Sequence, residues 1–173
     1  MKIIDNVLDI ADFYTVKNIL TGPNFPWFYS DDKVGATENI KQKLYNYQFV
    51  HVFFRENAIN SAYFEKLEVF QKILNSHTII RIKANLTTAQ KKVIPYDYHT
   101  DIPLLNKQNY KTAIYYLNTT NGPSLFENGE KVDCVENRLV IFDGNIPHTG
   151  CTHTNSKYRV VINFNYFESD EPQ

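Results

Sequence analysis

The chain has 173 residues, 43% of them hydrophobic and 14% aromatic, and its 18 basic and 19 acidic side chains leave a formal charge of −1. Such a composition fits a single domain with a sizeable core, excludes disorder, and argues against a general nucleic-acid binder, which would carry a basic excess. No stretch approaches the roughly 18–20 apolar residues of a membrane span, and two cysteines, Cys134 and Cys151, are too few for a disulfide framework, so a reduced, cytoplasmic setting is expected.

The start, MKIIDNVLDIADF, carries Asp5 and Asp9 and no cleavage site, so it does not read as a signal peptide. Residues 9–20 put Ile10, Phe13, Val16 and Leu20 on one helical face, and Thr21-Gly22-Pro23 ends the run. The aromatic loop Asn24-Phe25-Pro26-Trp27-Phe28-Tyr29 follows. Trp27 is expected to pack on the β core; the alternative is one wall of a substrate cleft. A weaker helix is predicted over 37–48, with Ile40, Leu44 and Tyr47 as its stripe. Phe49 to Phe54 reads as a strand, and 58–75 as the best helix, with Phe64, Leu67, Phe70 and Leu74 at helical spacing.

From about residue 79 the period changes to two. Strands are predicted at 79–86, 93–101, 110–118, 123–126, 131–135, 138–142, 148–152 and 157–167, separated by turns such as Asn121-Gly122-Pro123, Glu127-Asn128-Gly129 and Asp143-Gly144-Asn145. Eight short strands without intervening helices suggest a two-sheet jelly roll, mainly β, flanked by about three N-terminal helices that cover one outer sheet face. The chain then divides into a helical support region, 1–78, and a double-stranded β-helix core, 79–167, within one domain, 1–173.

The last strand, KYRVVINFNYF, carries the most informative pattern. Tyr158, Val160, Ile162, Phe164 and Tyr166 share an apolar face; Arg159, Val161, Asn163 and Asn165 share the other. In a packed core each unpaired polar group would cost about 1–3 kcal/mol. Two readings are open: the second face is solvated, or it lines a polar cavity inside the roll.

In Tyr98-His99-Thr100-Asp101 the imidazole and the carboxylate are two residues apart, so both project from one face, with backbones roughly 6.5–7 Å apart. A second imidazole, His148, follows in Ile146-Pro147-His148-Thr149-Gly150. Two His and one carboxylate leave three octahedral positions open, the facial-triad arrangement of non-haem Fe(II); an all-thiolate set would have suggested zinc or a cluster. A His-x-Asp pair alone is common as a surface feature. Order and context strengthen it, because Arg159 lies eleven residues beyond His148 on the polar face of the next strand. Its planar fork matches a carboxylate.

The pattern HTD…PHTG…YRVVINF resembles the Fe(II)/2-oxoglutarate-dependent dioxygenases, in particular the prolyl 4-hydroxylase-like branch. The resemblance covers roughly residues 79–167, and the RIKANL, AIYYLN and FNYF segments look most like compact members encoded by bacteriophages. It implies that His99, Asp101 and His148 bind Fe(II), that Arg159 pairs with the C5 carboxylate of 2-oxoglutarate, and that the Tyr116 hydroxyl supports the same carboxylate. It also implies that Asn85, or a neighbour, reaches the other end of the co-substrate, and that Asn163 and Asn165 flank the iron. O2 would be the second co-substrate and ascorbate the reductant. Two departures stand out: Val161 replaces the Ser or Thr that many members place after the Arg, and Leu86 and Thr87 stand where a Tyr is often near. Asp101 argues for hydroxylation, since a small residue there would open a halide site.

The implied activity is hydroxylation of a C–H bond in a peptidyl proline or another protein, peptide or small amino-acid substrate, with release of succinate and CO2, in the cytoplasm of a bacterial or infected host cell. Two alternatives remain beside it. A nucleic-acid demethylase would typically carry a second Arg at position 165, where this chain has Asn165. A jelly-roll binding protein without turnover would have no use for Arg159 and Tyr116 together. Of the other histidines, His51 is expected in the core or at a sheet edge, His77 near a helix end, and His153 on the face opposite His148. Cys134 and Cys151 are expected as inert strand thiols.

Overall fold

A computed structural model describes residues 1–31, 45–105 and 108–169. In chain order the elements are β1 (Lys2–Ile4), α1 (Ile10–Thr21), β2 (Phe28–Ser30), β3 (Gln48–Arg55), β4 (Ala58–Ile59), a 3-10 turn (Phe64–Leu67), α2 (Val69–Leu74) and β5 (Ser76–Thr88). A second 3-10 turn (Pro103–Leu105) precedes β6 (Lys111–Tyr116), β7 (Ser124–Phe126), β8 (Lys131–Val132), β9 (Arg138–Asp143), β10 (His148–Gly150) and β11 (Tyr158–Glu168). All pairings are antiparallel. The large sheet runs β1-β9-β6-β11-β5-β3-β2, with β4 beside β3; a small sheet runs β10-β7-β8. This is the expected mainly-β, two-sheet architecture.

The two faces of the large sheet close two different cores. On the outside, Phe13, Val16 and Leu20 of α1 and Phe70 and Leu74 of α2 bury against Ala113 and Tyr115 of β6 and Val160, Ile162, Phe164 and Tyr166 of β11. Phe70 sits 4.8 Å, centroid to centroid, from both Tyr115 and Phe164. Helix α1 starts where Asp9 accepts hydrogen bonds from the Ala11 and Asp12 amides, as an N-cap aspartate does. Between the sheets a smaller core joins Ile114, Tyr116, Val140 and Val161 to Phe126, Val132 and Cys134.

Three expectations change. The helix predicted over 37–48 lies largely outside the described residues, and Gln48 already begins β3. The helix predicted over 58–75 is broken: Ala58 and Ile59 pair back onto β3 through Glu56 and Asn57, whose φ values of 56° and 59° make a two-residue hairpin turn. The buried stripe Leu67, Phe70 and Leu74 survives in the short pieces that follow, until Asn75 ends α2 at a φ of 49°. Among the described residues there are two α-helices, and the N-terminal region supplies four strands to the large sheet as well as its cover. Finally, 93–101 is no continuous strand. It pairs only at isolated bridges, Pro95 with Cys151 and His99 with His148, and the register slips by one residue between them. Pro95 has no N–H for a ladder, and the slip interrupts what remains.

Candidate metal centre and co-substrate cavity

A cavity lies between the two sheets. Gln48 from β3, Lys83, Asn85 and Thr87 from β5, Ile114 from β6, and Arg159, Val161 and Asn163 from β11 form one wall. Ser124 from β7 and His148 and Gly150 from β10 form the other, with His99 and Asp101 at one end. The polar face of the last strand therefore lines a cavity.

The structure brings His99, Asp101 and His148 together: one ligand atom from each lies within 4.8 Å of the other two. The sheet does this through the backbone. His99 and His148 exchange both main-chain hydrogen bonds, each at 3.0 Å, so they stand directly opposite one another, with ring centroids 5.0 Å apart. His148 is delivered by the turn before β10, where the Ile146 amide donates to the Asp143 carbonyl and the Asn145 amide to the Asp143 carboxylate. Gly144 is required there: a Cβ would come within 2.1 Å of the Tyr110 ring, and the Tyr110 hydroxyl donates to the Gly144 carbonyl. In both histidines Nδ1 faces a carbonyl at 3.3 Å, of Asp97 and of Ile146. A carbonyl only accepts, so Nδ1 is assigned the proton and Nε2 is the basic nitrogen, the one able to bind a metal. Phe142, 4.8 Å from the His148 ring, walls it with carbon.

Asp101 is held more firmly than the sequence suggested. Arg81 Nη2 lies 2.9 Å from one carboxylate oxygen, and Asn165 Nδ2 donates to the other at 3.0 Å. Arg81 Nε in turn donates to Asn165 Oδ1, and Asn165 bonds Thr112 as well. Burial works to raise the pKa of Asp101, but Arg81, His148, the Asn165 amide and His99 hold it well below the usual carboxylate range. The carboxylate is anionic and aimed, as a metal ligand must be. Two imidazoles and one carboxylate with open positions fit a ferrous ion.

Arg159 stands farther along the cavity and is 4% exposed. Its Nε donates to the Gly122 carbonyl and its Nη2 to Ser124 Oγ, and its guanidinium lies 5.6 Å from the Tyr116 ring centre. Among the described residues no carboxylate pairs with it. Tyr116 does not line the cavity; its hydroxyl donates to Ser124 Oγ at 2.8 Å. Burial pushes the Tyr116 phenol up to about 12, so it stays a donor. Ser124 Oγ thus accepts from both Tyr116 and Arg159, and its own proton is left to point into the cavity. Ser124 Oγ and the Tyr116 ring therefore both stand beside the Arg159 guanidinium, linked to each other by the Tyr116 hydroxyl.

Asn85 and Asn163 both line the cavity, and each side-chain carbonyl there is buried without a hydrogen-bond partner, as is the Thr87 hydroxyl. Lys83 also faces the cavity; burial pushes its ammonium down to about 8. Lys83, Thr87, Gln48, Ser124 and Arg81 were missed by sequence reasoning. A signal existed for three of them: in RIKANLTT the residues Arg81, Lys83, Asn85 and Thr87 alternate with apolar ones, the same pattern that marks the last strand. Ser124 and Gln48 carry no such mark.

The remaining candidates lie elsewhere. His51 is satisfied in the core by the Pro26 carbonyl and the Ser61 hydroxyl. His77 is exposed beside Thr78. His153 is buried and outside the triad. Cys134 and Cys151 are buried and form no disulfide, and neither lines the cavity. Trp27 packs edge-on against Phe25 and donates to the Leu20 carbonyl; it is not part of the cavity wall.

No protein-family model matches the chain, and no curated protein does. Solved structures do. A prolyl hydroxylase from Trichoplax adhaerens, in complex with a hypoxia-inducible-factor peptide, gives a TM-score of 0.67 at 16% identity over 96% of this chain and 83% of that one. The viral collagen prolyl hydroxylase of Paramecium Bursaria Chlorella virus-1, with 2-oxoglutarate, gives 0.57 at 14% identity over 97% and 96%. HygX from Streptomyces hygroscopicus, with nickel, 2-oxoglutarate and hygromycin B, gives 0.59 at 10% over 97% and 82%. The chain has the fold of the Fe(II)/2-oxoglutarate oxygenases, prolyl hydroxylases among them. The likeness is one of architecture, and the chemistry rests on the side chains.

Proposed function

We propose that the chain is an Fe(II)- and 2-oxoglutarate-dependent dioxygenase that hydroxylates a C–H bond of a peptidyl proline or another protein or amino-acid substrate. The observation that carries this reading is a buried guanidinium, Arg159, with no counter-ion among the described residues, in the same cavity as the His99, Asp101 and His148 cluster. A buried cation without a partner is costly, and a dicarboxylate seated between it and a metal removes that cost. When bound, Fe(II) would activate O2, the oxidant: one oxygen atom would be inserted into the substrate C–H bond and the other would end in succinate as 2-oxoglutarate loses CO2.

The chain's residues do the rest. His99 and His148 present Nε2, and Asp101 presents a carboxylate oxygen while Arg81 and Asn165 fix its orientation. Arg159 and the Ser124 hydroxyl hold the C5 carboxylate, with Tyr116 behind Ser124. Thr87, directly across from Arg159, supports the same carboxylate; Asn85, one pair nearer Asp101, bonds the oxo-acid end, and Asn163 lies on the neighbouring strand toward the metal. The peptide bound to the Trichoplax neighbour and the hygromycin B bound to the Streptomyces one support both a peptide and a small-molecule reading of the substrate. Position 165, where a demethylase would typically carry a second Arg, holds Asn165, which is engaged by Asp101 and Thr112. Two buried cysteines outside any disulfide support a reducing, cytoplasmic compartment, in a bacterial or infected host cell as the phage-type segments imply.

Anaerobic addition of Fe(II) and 2-oxoglutarate is expected to give a visible charge-transfer band, and aerobic incubation to give succinate. His99→Ala is expected to abolish both. A wild-type protein with neither band nor succinate refutes the proposal.

A further inference from the structure

Lys83 and Arg159 are the two cations lining the cavity, and only Arg159 has a task in the reading above. On the cavity side β5 and β11 present four cross-strand pairs in succession: Thr87 with Arg159, Asn85 with Val161, Lys83 with Asn163, and Arg81 with Asn165. Successive pairs are roughly 6.5–7 Å apart along the strands. The first two, with Ser124 opposite, hold the donors that a dicarboxylate on Arg159 needs. Lys83 belongs to the third, beside the Arg81–Asn165 pair that grips Asp101.

Among the described residues the Lys83 ammonium makes no hydrogen bond and no ion pair. Asp101, whose charge acts on it, is already bound by Arg81 and Asn165. Charge balance makes the point quantitative. Arg81, Lys83 and Arg159 against Asp101 leave two positive charges. A divalent ion raises that to four, and a 2-oxoglutarate dianion lowers it only to two. Facing the lysine, the Asn163 carbonyl is buried without a partner on the adjacent strand. The centre therefore retains excess positive charge after its metal and co-substrate are seated, and an amide acceptor remains open beside the lysine.

We propose that Lys83 receives a carboxylate of the substrate, so that the compound oxidised is an anion whose acid group lies within a side chain's reach of the carbon attacked. This inference rests on the dioxygenase reading. The carboxylate is the α-carboxylate of a free amino acid or the side chain of an acidic residue in a peptide. Asn163 then accepts a hydrogen bond from a polar N–H of the same molecule.

The test uses Fe(II)- and 2-oxoglutarate-loaded protein. Three probe sets are added: the free L-amino acids other than Asp and Glu, their α-carboxamides, and acetylated, amidated tripeptides with a central Asp or Glu. Anaerobically, binding is read as a shift of the charge-transfer band; aerobically, as stimulated succinate formation. Members of the first or the third set are expected to respond, which identifies the source of the carboxylate, and the carboxamides are expected to stay silent. Lys83→Met is expected to raise the responding probe's half-saturation at least tenfold while the band still titrates with 2-oxoglutarate as in the wild type; Lys83→Arg is expected to restore most of the response. Equal response to the carboxamides, silence of both carboxylate sets, or a Lys83→Met protein that loses 2-oxoglutarate instead of the probe overturns the inference. The dioxygenase reading fails separately, by absence of the wild-type band.

Discussion

The two faces of the β5–β11 strand pair are built from one alternating sequence and behave in opposite ways. Outward, Ile82, Ala84, Val160, Ile162 and Phe164 are closed by Phe70, Leu74 and the α1 stripe, so every apolar group finds a partner within the chain. Inward, among the described residues, Arg159 has no counter-ion, and Asn85, Thr87 and Asn163 each hold a buried polar atom with no partner. The outer face is complete by itself. The inner face is stable only because the rest of the fold carries it, and its open groups describe the shape and charge of what it binds.

The sharpest way to break the outer face is Phe164→Ala. Removing this fully buried ring is expected to cost about 3–5 kcal/mol in urea unfolding. Arg159→Met tests the inner face and should do the reverse. It is expected to weaken 2-oxoglutarate by about 2–5 kcal/mol in anaerobic titration, with no fall in the urea midpoint of the ligand-free protein, because a buried cation without a counter-ion gives way to an apolar chain. A large loss of stability in Arg159→Met would show that the inner face is structural after all.

A smaller effect separates Ser124 from Tyr116. Ser124→Ala removes the hydroxyl facing the cavity and is expected to weaken 2-oxoglutarate by about 1 kcal/mol; Tyr116→Phe removes only its support and should weaken it less. The opposite order would return the role to Tyr116.

The smallest effect is a pH dependence. Burial lowers Lys83 to about 8 from its ordinary value of 10.5. Between those values the unfolded chain holds the proton and the folded chain does not, so ligand-free stability should rise with pH, by at most about 1.4 kcal/mol per unit. Lys83→Met is expected to flatten that rise in urea unfolding between about pH 8 and 9.5, below the tyrosine range.

The sequence by itself determined the alternation of the last strand, the His99–Asp101 pair two residues apart, and Phe13, Val16 and Leu20 as the buried stripe of α1, because each is a local periodicity that one element reads out directly; Ile10, expected in the same stripe, lies exposed at the helix start. His148 and Arg159 were legible as residue types in order, though their meeting with His99 required the sheet. Only the tertiary structure decided that Ser124 stands between Tyr116 and Arg159, that Arg81 reaches across to Asp101, and that 58–75 folds back as a hairpin before a short helix. These outcomes depend on cross-strand register, which joins residues such as Tyr116, Ser124 and Arg159 from three strands, and a local pattern holds no information about a partner so far along the chain.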